Sequence, residues 1–273
     1  MADILGTMLT TSYGFIEVSW NMLQSCIRKK NKVGTNSRFI LSFFFRRAIE
    51  LFESYLALIK ENRLADCAIL LRSFCEMGFN MDYIYENQNE KEKEYRALQY
   101  RLTEIKTKKK ITEANLEDFR LFDKNIDTTR EETIRQIESI KKELSTVFPD
   151  RKVQGFPHIA DLIGASKSTT IKQLYTQVYM YSCSIEHHDT IYGRDYVDNE
   201  KCEPLEEIKP NTVLRPETNL IVFRFLFLVI LKTFNDEFHL NWGKKIAELE
   251  ARQDAEYQQF KKVHKEAGGG PRP

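Results

Sequence analysis

Between Gly34 and Pro149 the chain holds one glycine, Gly78, and no proline. These two residue types punctuate local structure most strongly, so so long a run with almost none of them disfavours the short strands and tight turns of a β-protein. It reads as long helices. Over the whole chain, Gly (11) and Pro (7) are scarce among 273 residues, while hydrophobic residues make up 42% and aromatic residues 12%. That apolar content can build a sizeable core and argues against global disorder. The predicted fold is therefore all-α, a helical bundle of about five or six core helices with a charged helical insertion.

The order of segments follows the apolar pattern. Residues 1–90 are predicted as N-terminal helices and a helical hairpin of the core. Ile4, Met8, Phe15, Trp20 and Leu23 mark the first helix, Ser37 is a candidate N-cap for the second, and Asn62 offers the turn before the third. Residues 91–150 are a charged helical insertion, with Lys106, Lys108, Lys109 and Lys110 forming a local basic knot. Thr112 and Thr128 are candidate caps there, the latter with Glu131 in a capping-box spacing. Residues 151–265 supply the C-terminal core helices, with a long loop at 189–216, and 266–273 are a disordered tail. Leu220 to Leu231 is apolar except for Arg224, but at about a dozen residues it is far short of the roughly 20 that a span requires, so it is expected to be a buried central helix and no membrane is expected.

Charge and cysteine usage narrow the partners. Lys plus Arg (41) against Asp plus Glu (40) leaves +1, which gives no general field for nucleic acid or an anionic surface. Any such contact must be local. Five cysteines, an odd number without CxxC spacing, indicate neither a disulfide framework nor a zinc knuckle. Buried thiols in a reducing cytoplasm are the expectation, and the N-terminus lacks the basic and apolar regions of a secretion signal. No cofactor or metal is expected.

Two polar clusters interrupt the apolar helices. Arg72 and Glu76 stand four apart in LLRSFCE and so share a helix face. Glu76 could simply neutralise Arg72, or it could orient the guanidinium toward an anionic ligand such as phosphate, which a guanidinium binds as a bidentate fork. The second cluster is YSCSIEHHD, residues 181–189. On a helix, Tyr181, Ser184 and His188 make one stripe, with Ser182 and His187 in neighbouring directions. Either the histidines close a helix C-terminus, where the dipole favours their charged form, or one of them is a general acid or base, since imidazole titrates near neutral pH. A metal site on Glu76, His187, His188 and Asp189 is the weaker alternative, because adjacent ligands on one helix diverge and no HExxH spacing occurs.

The order of Arg47-x-x-Glu50, then LLRSFCEMGFNMDYI, then YSCSIEHHD ahead of a loop and an apolar helix resembles an uncharacterised family of bacterial helical proteins. That family carries Leu-Arg-Ser-x-x-Glu and Ser-x-x-x-His patterns and is distantly similar to HEPN and abortive-infection helical domains. The resemblance covers roughly residues 35–90 and 170–240. It implies an α-helical homodimer that cleaves RNA without metal, the RNA's own 2′-hydroxyl being the nucleophile. It further implies that His188, or His187, is the catalytic histidine. HEPN-type ribonucleases carry an Arg-x(4–6)-His motif near a helix end, and the sequence departs at its arginine, since 182–184 read Ser-Cys-Ser. Arg72 would then supply the charge from another helix, oriented by Glu76, while Ser184, Tyr181 and Ser182 position the phosphate. The expected function is a cytoplasmic defence- or toxin-type effector acting on RNA. The alternatives are a non-catalytic module that binds a protein or nucleic acid through 91–150, and a metal-dependent hydrolase.

Overall fold

A computed structural model describes residues 4–29, 34–86, 89–122, 124–166, 168–180, 182, 197–198, 203–204 and 215–266. The protein is all-α. Its helices are α1 (Ile4–Arg28), α2 (Asn36–Lys60), α3 (Leu64–Tyr85), α4 (Glu90–Ala114), α5 (Leu116–Phe122), α6 (Ile126–Val147), α7 (Ile159–Ala165), α8 (Thr169–Leu174), α9 (Pro216–Phe238) and α10 (Gly243–Glu266), with a π-helical turn at Tyr175–Tyr179 after α8. A two-residue antiparallel pair, Val197–Asp198 with Glu203–Pro204, is the β-structure among the described residues. Most of the expected 189–216 loop, and the tail beyond Glu266, lie outside them.

The chain forms two compact units. The first comprises Met1–Lys32, Leu41–Met81 and Ile163–Pro273, and the second Val33–Ile40 and Asp82–Leu162. The first is built around α9. This is the apolar run expected to be central: Leu220, Phe223, Phe227, Ile230, Leu231 and Phe234 are all fully buried. Phe223 stacks on Phe52 of α2 at 4.8 Å and meets Phe74 of α3 at 3.8 Å, while Phe227 lies 6.2 Å from Phe15 of α1. Rings from three helices thus close on one helix, and such contacts add to simple area burial. Where α3 crosses α9, Gly78 has no side chain, and a Cβ there would stand 3.3 Å from Leu226 Cδ2. The helices α1 and α10 pack on the same central helix and on each other. Among the described residues, no helix is long and apolar enough to cross a membrane.

Helix ends follow backbone hydrogen bonding. Asn62 takes φ 53°, and Arg63 N–H reaches back to the Leu58 carbonyl while Asn62 N–H reaches Ile59, which is the Schellman pattern. The end of α9 repeats it, with His239 at φ 50° and Leu240 N–H donating to Asn235 O. Three expected caps are displaced. Ser37 and Thr112 lie inside α2 and α4 and both are buried, and α6 begins at Ile126, so Thr128 is already helical.

The second unit has its own core on the α4 and α6 pair. Tyr95, Leu98 and Leu102 of α4 meet Ile137, Ile140 and Leu144 of α6, with Phe148 beyond. Most of the charged residues of both helices lie on the faces away from this seam, although Lys93 is buried. Its first residues, 36 and 37, start α2. Their main-chain N–H groups are taken by the two oxygens of Glu94, at 2.9 and 3.0 Å. A carboxylate from α4 therefore caps α2, satisfying orphan donors and matching the positive end of the helix dipole.

Candidate functional site

α3 carries the first polar cluster beside its buried face. Leu71, Phe74 and Cys75 face the core, while Arg72 and Glu76 are half-buried one turn apart. Phe79, a further turn on, meets Tyr175 and Tyr179 edge-on at 6.2 and 5.7 Å. Those two tyrosines stack on each other at 5.4 Å. They are four apart at the two ends of the π turn. A π turn inside an α-helix is uncommon and often accompanies a functional site. The Arg72 guanidinium lies over the Tyr179 ring, 5.6 Å from its centre. Arg72 therefore stands beside the last described turn before YSCSIEHHD. Ser182, two residues past the exposed Met180, is buried. Tyr181, Ser184, His187 and His188 lie outside the described residues, as does Asp189 of the metal alternative.

One buried polar cluster was missed from the sequence. Arg224, in the middle of α9, is fully buried and pairs with Glu256 of α10 at 2.7 Å. Its Nη1 also donates to the Met8 carbonyl at 3.4 Å, and the other Glu256 oxygen accepts from the Thr11 hydroxyl. Burial pushes the guanidinium's pKa down, and Glu256 opposes that shift. The signal was legible in part, since an arginine inside an apolar helix requires a buried anion. Its partner, 32 residues on in another helix, was not.

The second unit has a separate charged cluster. Glu92 accepts from Arg96 at 2.9 Å and from Arg151 at 2.6 Å, and the two guanidinium groups lie over Tyr83 and Tyr95. Burial alone would raise the Glu92 carboxyl, but the two arginine hydrogen bonds outweigh it and hold the group below its ordinary range. A recess of about 250 Å³ opens beside it, between the start of α4 and the end of α6. Cations and carboxylates are already matched there, so it shows no bias toward an anionic or a cationic ligand.

Fold and site together define an all-helical protein in which Arg72 of α3 lies over Tyr179 of a π turn. The chain belongs to DUF5677, a family of unknown function, whose model matches residues 38–204. The matched span runs from the start of α2 through the π turn and residues 181–189. No curated protein and no solved structure matches the chain.

Proposed function

We propose that the protein is a metal-independent endoribonuclease of the HEPN-like kind, a cytoplasmic defence- or toxin-type effector working as a homodimer. The observation that supports this reading is that Arg72 lies over Tyr179, which in sequence precedes the 181–189 segment holding Ser184 and His188 by two residues. In the proposed reaction the RNA 2′-hydroxyl attacks the adjacent phosphorus and the bond to the 5′-oxygen breaks, leaving a 2′,3′-cyclic phosphate and a 5′-hydroxyl. His188 moves the proton, with His187 as its neighbour. Arg72, oriented by Glu76, stabilises the extra negative charge on the phosphorane, and Tyr181, Ser182 and Ser184 position the phosphate. Stabilising charge that develops in the transition state is the largest contribution such a site can make. Cys26, Cys67 and Cys75 are buried, as suits thiols in a reducing compartment.

The test is cleavage of RNA by the purified full chain, with and without EDTA. Activity that survives EDTA, falls at least about 100-fold in His188→Ala and falls in Arg72→Ala supports the reading. Activity equal in wild type and His188→Ala rejects it. A second reading, a non-catalytic module gripping a protein partner through 91–150, is favoured by Ile111 and Val147, both about half exposed on α4 and α6. It predicts that His188→Ala changes no activity, while Ile111→Ser with Val147→Ser abolishes partner binding.

A further inference from the structure

The buried face of α10 changes character along its length. Ile246, Leu249, Gln253 and Glu256 recur at helical spacing and are all at most 7% exposed. The first two are apolar and the next two polar, so the second half of α10 docks through hydrogen bonds. Glu256 binds Arg224 Nη1 and Thr11. Among the described residues, that leaves three buried polar atoms with no hydrogen-bond partner: Arg224 Nε, Arg224 Nη2 and, one helical turn before Glu256, Gln253 Oε1.

Nε and Nη2 form one edge of the guanidinium, with two parallel N–H donors directed to the same side. Gln253 precedes Glu256 by three residues, on the helix face that meets Arg224. Two donors and one acceptor are the complement of one water molecule, which has two lone pairs and two hydrogens. Leaving a charged fork unmet in a core is costly, and buried waters typically make two to four such bonds. A second anion does not fit, because Glu256 already neutralises Arg224 and another negative charge would stand buried without a cation. We propose that one internal water sits in the seam of α1, α9 and α10, accepting from Arg224 Nε and Nη2 and donating to Gln253 Oε1. The seam is then dry at Ile246 and Leu249 and wet at Gln253, and the water fixes the register of α10 on α9.

The test is a crystal structure of the full chain at a resolution that shows ordered solvent, together with melting of two matched variants. The expected result is a solvent peak within about 3 Å of all three atoms. Gln253→Met is expected to lower Tm by about 2–6 °C relative to Gln258→Met on the exposed face of the same helix. An Arg224 turned so that Nε and Nη2 both bond Glu256 overturns the proposal. So does an anomalous peak at the site after a bromide soak, which marks an anion, or a Gln253→Met protein that melts with the Gln258→Met control.

Discussion

At the scale of the residue, the buried Arg224–Glu256 pair is the most consequential single interaction. Taking two charges out of water costs most of what their attraction returns, so the pair adds little stability, but breaking it leaves an uncompensated charge. Glu256→Ala is expected to lose about 3–5 kcal/mol in urea unfolding, and Arg224→Met with Glu256→Leu to recover most of that loss. Equal losses in the single and double variants would refute this account. Cys67 gives a pH-dependent case. Burial, with Asp66 nearby, pushes its thiol up from the ordinary 9.0 to about 12. Above pH 9 the unfolded chain releases this proton while the folded chain keeps it, so the folded state loses ground as pH rises from about 9 toward 12. Tyr55, whose phenol burial raises well above its ordinary value, acts in the same direction. Comparing urea midpoints of wild type and Cys67→Ala across pH 8–11 tests this, and the variant should show the shallower decline.

At the scale of the element, the informative feature is the start of α2. The sequence offers Ser37 as a cap by local chemistry, whereas the helix begins at Asn36 and Glu94 takes the first donors from another helix. Asn36 itself is gripped further, its side chain donating to Glu94 and Glu143 and accepting from Arg101. Glu94→Ala should therefore cost about 1–2 kcal/mol, as loss of an N-cap does. Ser37→Ala should cost less than Glu94→Ala, the reverse of what sequence alone suggests. Thermal melts of the two variants decide it. The displaced caps share one cause: a Ser or Thr near an expected helix start looks the same whether its hydroxyl caps the helix or lies within it, buried as at Ser37 and Thr112 or exposed as at Thr128.

At the scale of the molecule, two cores form on different principles. One gathers aromatic rings from α1, α2 and α3 on α9, and the other is a thin, mainly aliphatic seam between α4 and α6 with the Tyr95–Phe148 pair at its edge. Leu98→Ala, at a fully buried site of the thin seam, should cost about 2–5 kcal/mol and speed hydrogen exchange throughout α4 and α6. Amides of α9 should keep their protection, and if both regions loosen together the two cores are not separate cooperative units.

The sequence by itself determined that this protein is helical and which run lies at the centre of its first unit. Long stretches without Gly or Pro leave the backbone little choice, and Leu220–Leu231 is too apolar to face water. It also marked Arg72, Glu76 and the 181–189 segment as polar interruptions. Only the tertiary structure decided which residues from distant segments meet. That Arg72 lies over Tyr179, that Glu94 caps α2 and that Glu256 neutralises Arg224 are contacts between distant segments. Local periodicity specifies which way a residue faces on its own helix, but its partner is set by how separate helices pack, and a single sequence carries no signal for that.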